Sequence, residues 1–114
     1  MKIYHNPRCR KSRESLSILY EHNIKVNVIE YLKTPLTRTE IEGLIKMLSI
    51  SPLELVRKNE KLFKEVYKNK QLTHDEWIDV LCAHPILIER PIIVKDNFAV
   101  LGRPPINVLD LLNR

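Results

Sequence analysis

Cysteine is scarce in this chain: of 114 residues only Cys9 and Cys82 are cysteines. Two thiols cannot form the dense disulfide framework that stabilises small secreted domains. Long apolar runs are missing too. Nothing approaches the ~18 consecutive apolar residues of a membrane span. The first residues enter a strand-like Lys2-Ile3-Tyr4 directly, without the apolar h-region or cleavage site of a secretory leader. A cytoplasmic setting with no membrane association is the expectation. The two cysteines and four histidines show no metal-ligand spacing, with His22, His74 and His84 scattered, so no metal site is expected. Internal repeats, low-complexity tracts and linkers are also lacking, and the length suits one domain spanning 1–114.

What is present is ordinary in bulk: 44% apolar and 29% charged residues, as in a soluble globular protein. The net charge of +5 points towards anionic partners, whether nucleic acid, an acidic protein surface or a small oxyanion. Lys58, Lys61, Lys64, Lys68 and Lys70 read as a solvated face, and a nucleic-acid partner is not expected.

Residues 2–4 read as a strand. His5-Asn6-Pro7-Arg8-Cys9 is loop-like because of Asn6-Pro7. A helical pattern begins at Arg10, with Leu16, Leu19 and Tyr20 on one face and Asn23 as its stop. Residues 26–31 are rich in β-branched side chains and form a strand candidate. This β-α-β opening implies two parallel strands with a crossover helix. Three capping boxes follow, Thr37 with Glu40, Ser51 with Glu54 and Thr73 with Glu76, the second strengthened by Pro52. They predict an all-helical insertion over about 37–83, broken and restarted between Leu62 and Gln71. Strands return at 92–94 and 98–101 around an Asp96-Asn97 turn that has no glycine, and a last helix covers about 106–112. The order β-α-β, helical insertion, β-β-α is that of a thioredoxin-like α/β domain with a mixed four-stranded sheet.

Cys9 falls at the first turn of the first helix. A helix N-terminus carries about half a positive charge and unpaired N–H donors, both of which favour a thiolate. Arg8, Arg10, Lys11 and Arg13 are close in sequence and add to this. In such settings a thiol pKa of ~8.5 falls to between ~3.5 and ~7.5. The Ser12 hydroxyl is placed to donate back towards the sulfur, and His5 to add a donor or charge. Cys9-Arg10-Lys11-Ser12 is a C-x-x-C spacing with serine in the second place. A monothiol cannot resolve its own mixed disulfide and needs an outside thiol. A phosphatase-type C-x5-R loop is not expected, since the residue six after Cys9 is Ser15 and Arg13 comes two too early. Cys82, within the helical pattern 77–83, reads as a packed apolar residue, as does Trp77, and Tyr4 and Tyr31 read as packing on strands.

The segment from His5 to Arg13 resembles the start of the glutaredoxin-coupled arsenate reductase family (ArsC type). So, in family order, do 31–35, 55–59, 84–94 and Gly102-Arg103-Pro104, with the Arg8-Cys9 pair and the Pro104-Pro105 ending closest to a short subgroup. The resemblance implies Cys9 as nucleophile and Arg57, Arg90 and Arg103 as anion-binding arginines. It implies His5 and Ser12 as stabilisers of the thiolate and Pro91 as a cis-proline. It further implies arsenate or a similar oxyanion as substrate, glutathione as co-substrate with no bound cofactor, and a glutaredoxin as protein partner. Arginine suits a tetrahedral oxyanion because it binds such oxygens bidentately. The same fold family also includes Spx-type regulators that bind RNA polymerase, but those resemble C-x-x-C proteins and do not need all three arginines. A member acting on another substrate is the remaining alternative, since Arg10 and Lys11 stand where better-characterised arsenate reductases have small residues.

Overall fold

The computed structural model describes residues 1–113 and divides into two compact units, Met1–Thr34 with Arg90–Arg114, and Pro35–Glu89. The first unit is built on a four-stranded sheet of β1 (Lys2–Tyr4), β2 (Asn27–Ile29), β3 (Ile92–Lys95) and β4 (Phe98–Leu101) in the order β2-β1-β3-β4. β1 runs parallel to β2 and antiparallel to β3, and β3 and β4 form an antiparallel hairpin, so the sheet is mixed as expected. Ile92, Ile93 and Val94 are buried in succession, the pattern of a strand covered on both faces. Asp96 turns the hairpin at φ 54°, a left-handed conformation that aspartate tolerates better than most residues.

Helices α1 (Arg10–Glu21) and α4 (Val108–Leu112) cover one face of this sheet. Ile3 and Ile93 are register partners, so they point the same way, and with Leu19, Val108 and Leu111 they form a core that is 0% exposed. Burying each such side chain contributes about 1.5–3 kcal/mol. The buried stripe of α1 is Ser12, Ser15 and Leu19, whereas Tyr20 is exposed. The expected apolar face therefore needs correcting: its first two turns bury serines. Small side chains there let the helix start lie close against its neighbours. Asn23, at φ 57°, ends the helix as its sequence position suggested.

The second unit is helical. α2 (Arg38–Leu48) and α3 (His74–Ala83) both begin at complete capping boxes, Thr37 with Glu40 and Thr73 with Glu76, each cap contributing about 1 kcal/mol. Arg38 ties the two helices together through Asp75 at 2.9 Å and through Asp79. Ser51 also forms its box with Glu54, its N–H donating to Glu54 Oε1 at 3.4 Å, yet no α-helix follows. Its hydroxyl donates to Glu54 Oε1 at 3.2 Å, and the element it opens is only a four-residue 3-10 turn, Pro52–Leu55. The cause is long-range: Val56 becomes extended and bridges to Ile88, which pulls the chain out of a helix after one turn. The break expected between Leu62 and Gln71 is present: the helical run ends in a π-helical stretch, Phe63–Tyr67, closed by Lys68 N–H donating to Phe63 O at 2.8 Å, and helix restarts at His74. Among the described residues, no helix is long and apolar enough to cross a membrane.

Candidate active site

The site is assembled in the first unit where β1 hands over to α1. His5 N–H donates to Ile29 O at 2.8 Å, which fixes the start of the connecting loop to the neighbouring strand. The loop turns on itself: Cys9 N–H donates to Asn6 O at 3.0 Å, and Arg8 N–H to Asn6 Oδ1 at 3.0 Å. Cys9 is then the N-cap of α1, extended at φ −93° and ψ 122°, with its carbonyl accepting the first helical bond from Arg13. A cap residue in this conformation sets its sulfur beside the N–H groups of the first turn. Cys9 is 9% exposed, so the sulfur is close to water without being immersed in it.

Burial alone raises the Cys9 thiol. The Ser12 backbone N–H, a hydrogen bond from the Arg90 side chain and the charges of Arg90 and Arg103 outweigh it and leave the thiol below its ordinary value. Arg103 Nη2 lies 3.7 Å from Cys9 Sγ, while its Nε donates to Arg90 O at 2.6 Å. One guanidinium therefore links the sulfur to the segment that carries the other. Both Arg90-Pro91 and Arg103-Pro104 are cis, so the expected cis-proline is present and a second accompanies it.

The local cations act otherwise than the sequence suggests. Arg8, Arg10, Lys11 and Arg13 are all exposed. Arg10 pairs with Glu14 at 2.7 Å, and Arg13 Nη1 donates to Pro7 O at 3.0 Å. The charges that hold the thiol down come instead from Arg90 and Arg103, about 80 and 90 residues along the chain. Ser12 also works differently. Its hydroxyl accepts from Asn6 N–H at 3.1 Å and is 2.6 Å from His5 Nδ1, while its backbone N–H serves the sulfur. The hydroxyl is thus committed to bracing the loop. Burial is the main cause lowering His5, with Arg13 acting in the same direction and Glu30 against it. Burial thus favours the neutral imidazole, and His5 holds the loop through its contact with Ser12.

One further residue matters here to which the sequence pattern assigned no role. A Cβ at Gly102 would lie 2.7 Å from Pro91 Cγ and would collide with the Ser15 hydroxyl. Gly102 N–H donates to Pro91 O at 2.9 Å. The absence of a side chain at Gly102 lets the segments bearing Arg90 and Arg103 close on each other and on α1. The clue in the sequence is that one of only two glycines directly precedes Arg103.

Arg57 belongs to the second unit. Its N–H donates to Leu87 O at 2.6 Å and its Nε is 3.2 Å from Glu60 Oε1. Cys82, half-buried on α3, has its thiol raised, first by burial and then by Asp79 and Glu42 against the opposing Arg38. It has the character of a packed thiol and not of a nucleophile. Among the described residues no group of three or more His, Cys, Asp or Glu side chains is placed to hold a metal ion.

Chemically, the site offers a depressed thiol with two guanidinium groups converging on its sulfur. Such a thiolate can attack an electrophilic centre that carries anionic oxygens, because the same cations that stabilise the sulfur also receive the oxygens.

Comparison with known proteins agrees with this chemistry. The ArsC family matches residues 4–111. A protein named arsenate reductase from Escherichia coli is 42% identical over 111 residues, covering 96% of this chain and 79% of its own. The uncharacterized protein YfgD of Escherichia coli K12 is 41% identical over 114 residues, covering 98% and 96%. Among solved structures, the arsenate reductase from Vibrio cholerae superposes with a TM-score of 0.90 at 40% identity, covering 96% of this chain and 97% of its own.

Proposed function

The chain belongs to the ArsC family, and from that membership we propose that it reduces arsenate to arsenite through Cys9, with glutathione and a glutaredoxin supplying the electrons. The observation that carries this reading is the convergence of Arg90 and Arg103 on a depressed Cys9 thiol. Thiolate stabilisation by Arg90 and Arg103 would serve any reactive thiol, but two guanidinium groups beside the sulfur can in addition hold the oxygens of an oxyanion. Arsenate needs them, since a thiolate and an arsenate dianion repel each other and the cations offset that repulsion.

In the proposed sequence the Cys9 thiolate attacks arsenic(V), and one arsenate oxygen leaves as water. The glutathione thiol then displaces a second oxygen, also as water, to give an arsenic bridged between Cys9 and glutathione. A glutaredoxin thiolate attacks the glutathione sulfur. The new S–S bond leaves with the mixed disulfide, and the electron pair of the broken S–As bond stays on arsenic, which becomes arsenic(III). Hydroxide cleaves the remaining Cys9–arsenic bond, releasing arsenite and restoring the thiolate. The need for an outside thiol follows from Ser12 in place of a second cysteine. Arg57 is proposed as a third anion ligand on the family resemblance. A cytoplasmic location fits a thiol that must stay reduced.

The test is a coupled assay with arsenate, glutathione and a glutaredoxin, with each reductant omitted in turn. Wild type should turn over only with both present, Cys9→Ser should be inactive, and Arg57→Ala should lose much of kcat/KM. Undiminished arsenate reduction by Cys9→Ser would overturn the mechanism, and full activity without glutaredoxin would overturn the choice of reductant.

A further inference from the structure

Within the second unit, remote in sequence from Cys9, lies a cleft of about 510 Å³ with an unusual lining. Its floor is aromatic: Phe63 and Trp77 are 6.4 Å apart between ring centroids, and Tyr67 is 6.1 Å from Trp77. Its wall and rim carry Lys58, Lys64, Lys68 and Lys70, and no carboxylate lines it. The nearby Glu65 is engaged with Lys61 at 3.7 Å. Two of the lysines are held in place, Lys58 Nζ donating to Leu53 O at 3.0 Å and Lys70 Nζ sitting 5.3 Å from the Tyr67 ring centroid. The segment Phe63–Tyr67 that sets this lining is the π-helix, a local form often found at functional sites.

We propose that this cleft is a docking site for an acidic peptide segment of a partner protein, one that inserts a single aliphatic or aromatic side chain onto the Phe63–Trp77 floor and lays carboxylates against the surrounding lysines. Charge complementarity selects this occupant. Four ammonium groups spread around the rim exceed what one small carboxylate can engage, so the matching charge must also be spread out. Phe63 and Trp77 are only 7% and 5% exposed and present little ring face, which disfavours the base stacking on which single-stranded nucleic acid relies. A short apolar side chain among these rings and the lysine stems suits the space better. Exposed Leu53, 37% accessible, extends the apolar surface at one end. This site is independent of the thiol chemistry.

Trp77 is the only tryptophan of the chain and gives an internal signal. The probe is a dye-labelled peptide, acetyl-Glu-Asp-Leu-Glu-Asp-Phe-Glu-Asp-amide, followed by anisotropy and by Trp77 emission. Binding should shift Trp77 emission and weaken as salt is raised. The exposed pair Lys64→Glu and Lys68→Glu, which leaves the aromatic floor intact, should bind roughly tenfold more weakly or worse, since reversal replaces attraction by repulsion at two contacts. Far-ultraviolet circular dichroism should confirm that the variant is folded. Equal binding by that variant, equal binding by a peptide with both apolar residues changed to glycine, or binding without any change at Trp77 would each overturn the proposal, as would failure of the probe to bind.

Discussion

Replacing Arg103 by alanine removes the guanidinium whose Nη2 lies 3.7 Å from Cys9 Sγ. Two unit charges about 4 Å apart attract by about 1 kcal/mol in water-like surroundings and about 4 kcal/mol at an effective dielectric of ~20. Arg103 is partly exposed, so the lower end of that range applies. A loss of about 1 kcal/mol corresponds to roughly fivefold less thiolate at any pH below the titration midpoint. The assay is iodoacetamide alkylation against pH in a Cys82→Ala background, where Cys9 is the sole thiol. Wild-type Cys9 should titrate below an ordinary cysteine, and Arg103→Ala should move the midpoint up and slow alkylation about fivefold at pH values below both midpoints. Arg103→Lys should recover most of the shift, because the charge returns even though the bidentate geometry does not. Lys11→Ala and Arg10→Ala are the controls. Both side chains are exposed and Arg10 is engaged by Glu14, so neither should move the midpoint. A curve unchanged in Arg103→Ala but shifted in Lys11→Ala or Arg10→Ala would refute the reasoning and return the effect to the local cations.

Gly102→Ala should cost about 1–3 kcal/mol in urea denaturation, the range for forcing atoms into a filled site, because the new methyl meets Pro91 and Ser15; it should also depress Cys9 reactivity by displacing Arg103. A variant of wild-type stability would mean that the segment shifts at little cost. Ser12→Ala leaves the Asn6 N–H without its acceptor and should cost about 1–3 kcal/mol, yet it should keep most of the lowered thiol titration, because the Ser12 N–H remains. A full return of the thiol to its ordinary value would show that the hydroxyl serves the sulfur after all. His5 is lowered chiefly by burial, so the unfolded chain takes up its proton first as pH falls below about 6.5, and stability declines through that window down to the folded value. His5→Gln should flatten that decline in denaturation curves taken from pH 7 to pH 5, and parallel slopes in the two proteins would rule the assignment out.

The features legible from sequence are those decided by neighbours in the chain. The capping boxes at Thr37 and Thr73 each close within four residues, and both are complete. Cys9 as helix cap follows from the step between the Asn6-Pro7 loop and a helical pattern, and it is found there. Ser51 shows where this logic stops. Its local pattern is as good as the others, but the Val56–Ile88 bridge takes the chain away from helix after four residues. The thiol environment repeats the lesson at higher stakes. Proximity in sequence suggested Arg8, Arg10, Lys11 and Arg13, yet Cys9 is buried at the helix start while these four are exposed. The cations that act, Arg90 and Arg103, are brought in by the β3–β4 hairpin, whose pairing with β1 sets Ile92 opposite Tyr4, and by the bare backbone of Gly102. Composition carries no trace of that pairing; only the resemblance to a family pointed to those two arginines beforehand. The same geometry explains why Ser12 and Ser15 are buried: a hydroxyl on the inner face of α1 is small enough to admit the loop and the Pro91 segment, where an aliphatic residue would hold them apart. A reactive thiol in this fold is therefore a property of three chain segments meeting, with the helix start supplying N–H donors and the distant hairpin supplying charge.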